Sequence, residues 1–360
     1  MPALTLDDLR RYAIARSLFK PTTLPRALQR LGFVQADPLR APARAQDLTL
    51  RHRVLDYRAG DLDRRYTKLP YEEDFFVNYG YVHRDTQALM HPREARHEWT
   101  PERWAQAADV LAFVRERGVV HPREVDAHFA HGKVTNWFGG SSNASTELLD
   151  GMHYRGMLRV ARREGGTRLY AVREAAAAPV DRDVAFDTLI DLVVNKYAPL
   201  PATTLAQLTR FLGGGVPQWR AHRAEALHRA RERLASAEVD GVQWFWPADE
   251  KPASKRHQVP EAVWLLAPFD PVVWDRPRFE HFWGWAYRFE AYTPAAKRLR
   301  GHYALPLLWR EQVIGWANLK VSDGRLVPDL GFVEKRPRSA AFSQALDEEL
   351  QRMHSFLGLG

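Results

Sequence analysis

From residue 1 to 254 one pattern recurs at a period of about 75–80 residues: a helix, a short helix, a longer helix, then extended chain. The middle copy is the clearest. Residues 110–117 form a candidate helix stopped by Gly118, and 122–129 a second. Residues 145–158 form a third, with Ser145 as N-cap, Glu147 in the first turn, and Leu148, Leu149 and Met152 along one apolar face. Residues 158–172 then give two short strands around a Glu-Gly-Gly turn.

Three helices followed by a hairpin is the winged-helix variant of the helix-turn-helix, although a helical array with hairpins produces the same pattern. The third copy starts near Asp183. In it Thr204 and Gln207 suggest a capping box opening a helix that ends at Gly213. Pro217 then falls in the first turn of a long helix that buries Trp219, Ala226, Leu227, Ala230 and Leu234, and 242–247 supplies a strand. The first copy has helices at 7–19 and 24–31, a strand at 33–38, a stretch at 43–53, and its β part within 66–90. After Lys255 the character changes: Trp264, Trp274, Trp283, Trp285, Trp309 and Trp316 are six of the twelve tryptophans. Strand-like runs at 286–292, 302–309 and 312–321 precede a helix at 342–357, which suggests a small antiparallel barrel or curved sheet. The expected fold class is therefore α+β. It comprises three tandem winged-helix modules (1–100, 101–178 and 179–254) followed by a C-terminal β-barrel-like domain at 255–360.

A net charge of +8 and a pI near 9.7 call for a polyanionic partner. Of the 52 basic residues 43 are arginine, a ratio that GC-rich coding also produces, so only the charge itself points to such a partner. The absence of cysteine excludes disulfides, Cys-ligated zinc and a cysteine nucleophile. No apolar run approaches the ~20 residues of a membrane span. The N-terminus, MPALTLDDLRR, carries acids where a signal peptide carries bases, so a cytoplasmic protein without membrane attachment is expected. The Gly213–Gly215 triplet has no following GK[ST] and fits a helix C-cap better than a phosphate loop. His128 and His131 with Asp126, and the pair His91 and His97, lack a full ligand set at metal-binding spacing, so no metal and no cofactor are expected. Asp270 and Asp275 in PFDPVVWD (268–275) fit structural turns.

Two stretches carry candidate chemistry. In Phe33-Val34-Gln35-Ala36-Asp37-Pro38, Phe33, Val34 and the pre-proline position favour extended chain. Residues two apart in a strand share a face, which sets the Gln35 amide beside the Asp37 carboxylate, roughly 6–7 Å apart. Those six residues alone fit either a catalytic pair or a turn aspartate next to an edge-strand amide. An arginine-rich stretch with Arg40, Arg44 and Arg51 follows. The second stretch, TPAAKRLRG (293–301), holds Lys297, Arg298 and Arg300 with no acid, and fits either a solvated basic turn or a hairpin tip aimed at a nucleic-acid groove.

The segment LLAPFDPVVWDRPRFEHFW (265–283), followed by YRFEAYTPAAKRLRGHYALPLLWREQVIG (287–315), closely resembles the C-terminal part of the YcaQ/AlkZ family of bacterial DNA glycosylases. That family is built from three winged helices and a C-terminal β domain. Its motif, Gln, an aliphatic residue, then Gln or Asp, follows the second helix of the first winged helix and matches Gln35-Ala36-Asp37 in its Asp-containing form. The resemblance implies a monofunctional glycosylase that removes cationic alkylated purines, notably 7-alkylguanine, and unhooks interstrand crosslinks in DNA repair. Asp37 and Gln35 would be catalytic, and Arg40, Arg44, Arg51, Lys297, Arg298 and Arg300 would bind DNA. The partner would be damaged double-stranded DNA and the protein a monomer at the bacterial nucleoid. Many members carry a Trp-x-His element where this chain has NYGYVHR (78–84), so substrate preference stays open. A base that already carries positive charge leaves as a neutral molecule, so one carboxylate suffices where glycoside hydrolases use two. No lysine near this motif in sequence (Lys20 and Lys68 are the closest) offers itself as a Schiff-base nucleophile, and lyase activity is not expected. The competing expectations are a winged-helix DNA-binding regulator without enzymatic activity and an RNA-binding protein using the same basic surface.

Overall fold

The computed structural model describes residues 3–94, 97–130, 132–135, 141–174 and 180–359. It divides the chain into two units, each assembled from separated stretches: 1–62, 191–208 and 227–360 in one, 63–190 and 209–226 in the other.

In the first unit, helix Leu6–Ser17 opens on a capping box: Thr5 Oγ1 accepts the Asp8 N–H at 3.2 Å while the Asp8 carboxylate accepts the Thr5 N–H at 3.1 Å. The short helix Leu24–Leu31 ends at Gly32, whose φ of +66° suits glycine. A Cβ there would also stand 2.9 Å from the Leu192 side chain. Strand Phe33–Gln35 and the buried helix Ala45–Leu50 follow.

The C-terminal part of this unit is a four-stranded antiparallel sheet in chain order, Val263–Leu265, Leu305–Trp309, Gln312–Ser322 and Arg325–Phe332. Of the two expectations, barrel or curved sheet, the barrel does not form: the four strands make an open sheet. Residues 286–292 are not a strand, although their residue types alternate suitably. Trp285 and Tyr287 instead turn into a core with Ile14, Leu18, Leu266, Val272, Phe279 and Leu308, and the Tyr287 hydroxyl donates to the Ala304 carbonyl at 2.7 Å. Two elements here went unread in the sequence, strand Arg325–Phe332 and helix Arg276–Trp283. A smaller sheet joins Leu200–Pro201, Val242–Trp246 and Ala235–Val239, with Trp244 fully buried and stacked on Phe282 at 5.3 Å. Thr204 lies inside helix Ala202–Leu212 and donates to Asp275 at 2.6 Å, so the expected capping box does not form. Residues 217–234 divide into a 3-10 turn, Pro217–His222, and a helix, Arg223–Arg233.

The second unit contains the helix-helix-helix-hairpin succession expected for the middle copy: Pro101–Arg117, Pro122–Phe129, Ala144–Tyr154, then Leu158–Glu164 paired with Thr167–Val172. Local chemistry explains the agreement. Gly118 stops the first helix at φ +77°, and Gly165 and Gly166 supply the positive φ of the hairpin turn, whereas the first helix starts at Pro101 rather than 110, where Thr100 caps it by accepting the Arg103 N–H. The third helix starts earlier than expected, with Asn143 rather than Ser145 as N-cap.

Strand Tyr71–Phe75 in this unit buries three consecutive acids. Glu72 pairs with Arg84 and Arg159, Glu73 with Arg163, and Asp74 with His91 at 2.8 Å and Arg93 at 3.1 Å. Burial alone would raise the Asp74 carboxyl, but Arg93 and His91 outweigh it and hold the group well below the usual carboxylate range.

Candidate active site

Strand Phe33–Gln35 is held from both ends. Gly32 turns the chain out of the preceding helix, and the Lys196 ammonium donates to the Phe33 carbonyl while lying 4.9 Å from the Phe33 ring. The Gln35 side chain is buried, and its Oε1 accepts the indole N–H of Trp274 at 3.2 Å.

Asp37 is half-buried. Its N–H donates to Gln46 Oε1 at 3.3 Å, and its Oδ1 accepts the Leu39 N–H at 2.9 Å, the side-chain-to-backbone bond of an Asx turn. The turn reading of this residue is thus correct as far as it goes, but it uses one carboxylate oxygen only. Among the described residues nothing donates to Oδ2. Burial raises the Asp37 carboxyl above its ordinary range, and the Leu39 hydrogen bond offsets this in part.

Aromatic side chains border Asp37. Burial and the Asp37 charge together raise the hydroxyls of Tyr292 and Tyr303, so both stay protonated. Tyr292 is 72% exposed, whereas Tyr303 is 2% exposed and its hydroxyl has no hydrogen-bond partner among the described residues. Phe289 meets both rings edge-on, at 6.0 and 5.3 Å. The result is an open carboxylate oxygen, a buried amide and a neutral aromatic border. Such a set accepts a proton from water and tolerates a cationic planar group.

Asp270 and Asp275 are structural, as expected. Asp270 and Arg53, both fully buried, form a two-pronged ion pair at 2.8 and 3.0 Å. Asp275 caps helix Arg276–Trp283 through the Arg278 N–H. Among the described residues no group of three or more His, Asp or Glu could hold a metal ion, and none of their helices is long and apolar enough to cross a membrane. His131 lies outside the described residues. His128 stacks on Phe113 at 4.6 Å, and His91 is spent on Asp74.

The basic residues divide. Arg40 is exposed, while Arg44 is buried at the start of helix Ala45–Leu50. Arg51 pairs with Glu349 and donates to the Leu265 carbonyl at 3.0 Å, with a side chain 3% exposed. The DNA contact expected of Arg51 therefore gives way to an internal ion pair. Segment 293–300 is not a hairpin tip between two strands but a loop with one 3-10 turn, Ala295–Lys297. The Glu290 carboxylate gathers it by accepting the Leu299 and Arg300 N–H groups. Lys297 is exposed, and Arg298 spends its Nε on the Thr293 carbonyl at 2.8 Å. Arg300 lies over the Trp285 and Trp316 rings, at 4.9 and 5.3 Å, so its guanidinium packs against the protein rather than extending toward a ligand.

The sequence missed Gln46, Lys196, Trp274 and Tyr303. Only Trp274 and Tyr303 carried a signal, their places in the 265–283 and 287–315 resemblance. Lys196, far from the motif in sequence, is brought against Phe33; burial and the Arg53 charge push its ammonium down to about 7, and it is 4% exposed.

A family model described as DNA glycosylase AlkZ-like matches residues 28–356. Among solved structures, the Streptomyces sahachiroi DNA glycosylase AlkZ superposes with a TM-score of 0.67 at 15% identity, covering 99% of this chain and 97% of that one. At that identity the superposition establishes a shared fold.

Proposed function

The chain belongs to the AlkZ-like family of DNA glycosylases, and we propose that it hydrolyses the N-glycosidic bond of cationic alkylated purines in duplex DNA and unhooks interstrand crosslinks of the same chemistry. It is thus a DNA-repair enzyme acting on DNA; 7-alkylguanine is the substrate class proposed here. The observation that carries this reading is the Asp37 carboxylate, half-buried, raised in pKa, and with one oxygen left open by its turn hydrogen bond.

The C1′–N9 bond breaks with its electron pair going to the base, which quenches the positive charge already there. Asp37 stabilises the oxocarbenium-like sugar and takes a proton from the water that bonds to C1′. Gln35 orients that water. The step balances with water as sole co-reactant, and no lysine adduct is required, since Lys196 is buried on the Phe33 carbonyl. We read 1–100, 101–178 and 179–254 as winged-helix modules and 255–360 as the β domain, supported by the three-helix-and-hairpin order of the middle stretch. The monomeric state and the cytoplasmic, nucleoid-associated location belong to the same reading.

Two results are expected. Asp37 must be ionised to act, so the single-turnover excision rate rises with pH through its pKa. Burial should place that acidic limb above the ordinary aspartate value, and a limb at or below it would show that Asp37 is not desolvated in the working enzyme. Lys297→Ala should lower the salt slope of DNA binding by about one unit, the amount for one phosphate contact. Arg300→Ala should leave that slope alone, because its guanidinium is committed to Trp285 and Trp316.

The test of function is release of free 7-methylguanine from duplex DNA. A regulator would protect a specific undamaged sequence and release no base, and an RNA-binding protein would prefer RNA at matched salt.

A further inference from the structure

The indole N–H of Trp274 donates and cannot accept, so the Gln35 atom it meets at 3.2 Å is the carbonyl oxygen, which fixes which way round the amide lies. The Gln35 NH₂ makes no hydrogen bond to the described residues, and neither does Asp37 Oδ2. The two groups are two residues apart, Gln35 as the last residue of its strand and Asp37 in the turn that follows it. Trp274 is itself positioned: its ring packs at 4.9 Å on Tyr197 at a tilt of 36°, and its main-chain N–H donates to the Asp270 main-chain carbonyl at 2.8 Å. Asp270 in turn is locked to Arg53.

We infer that Trp274 is a positioning residue that holds Gln35 as a donor, NH₂ outward, so that the amide donates to the water oxygen while Asp37 accepts the water's proton. The inference rests on the Asp37 mechanism above and adds a direction to it. An amide turned the other way would present a second acceptor, and two acceptors side by side leave no donor to orient the lone pair of the water toward C1′. The segment PFDPVVWD (268–275) then has a function beyond its turns. It delivers an indole N–H to the strand that carries the chemistry.

The experiment compares wild type with Trp274→Phe, Gln35→Ala and the double variant Trp274→Phe/Gln35→Ala, by single-turnover excision of 7-methylguanine and by DNA affinity. Phenylalanine keeps a ring for Tyr197 and removes the N–H. Expected is a loss of about tenfold in the rate for Trp274→Phe at unchanged affinity, the usual order for one positioned hydrogen bond, and a double variant no slower than Gln35→Ala alone. A ring acting only on stability would slow both backgrounds by the same factor, and that multiplicative result overturns the inference. Gln35→Glu supplies a second readout. It places a second carboxylate beside Asp37 whichever way it turns, and the repulsion should move the acidic limb of the rate upward; an unmoved limb would show that residue 35 does not face the water Asp37 acts on and overturns the inference. Asp37→Asn, run alongside, separates the two claims. If it stays active the mechanism itself fails, whereas an inactive Asp37→Asn with multiplicative Trp274 and Gln35 effects sinks the positioning role alone.

Discussion

Asp37→Asn should abolish excision of 7-methylguanine, by at least the ~10²-fold typical of losing a general base, with DNA affinity kept within a few-fold. Asparagine preserves the shape of the side chain, and its carbonyl oxygen can still accept the Leu39 N–H, so the turn before Pro38 should survive. What it lacks is the proton affinity of the open oxygen and the negative charge facing the developing oxocarbenium ion. Gln35→Ala should be impaired less completely, because an amide orients the water without accepting its proton. Near-wild-type rates in Asp37→Asn would remove Asp37 from the chemistry and return it to the turn.

The second large effect is on stability. Asp270→Ala should cost about 3–5 kcal/mol in the unfolding of the first unit, the range for breaking a fully buried ion pair from one side. The Arg53 guanidinium, which also donates to the Ser17 and Thr49 carbonyls, would be left charged and without its carboxylate at a site with no solvent access. Replacing both partners, as Arg53→Met/Asp270→Leu, should recover much of the loss, since no buried charge remains uncompensated. Denaturant unfolding followed by tryptophan fluorescence measures both. A cost of about 1 kcal/mol or less for Asp270→Ala would place the pair in the class of exposed salt bridges and contradict its burial.

Local signals made part of this legible in the sequence. Gly32 ends a helix and a strand follows at once, but it covers Phe33–Gln35 only and leaves Asp37, expected within it, in the turn beyond. The middle copy was read in the right order because Gly118, Gly165 and Gly166 mark its boundaries, but its first helix starts at Pro101 behind the unread cap Thr100 rather than at 110. Contacts between distant residues were not legible. Trp274 and Gln35 are 239 positions apart, and nothing in either neighbourhood marks an indole meeting an amide. Arg51 was counted with the DNA-binding arginines because charge reveals nothing of burial, and its partner Glu349 lies 298 positions on. Residues 286–292 alternate as a strand would, yet Trp285 and Tyr287 are claimed by the core, and the sheet takes Arg325–Phe332 as its fourth strand. The discontinuous make-up of the two units likewise depends on long-range packing that a period of helices and hairpins does not encode.

The most direct test of the central claim is a single-turnover reaction of the full-length protein with a duplex carrying one 7-methylguanine, analysed for free base and for strand integrity before and after alkali. A monofunctional glycosylase releases 7-methylguanine, leaves the strand intact before alkali and gives a single break at the lesion after it. No base release at saturating protein, or a break already present before alkali, would contradict a monofunctional glycosylase built on Asp37.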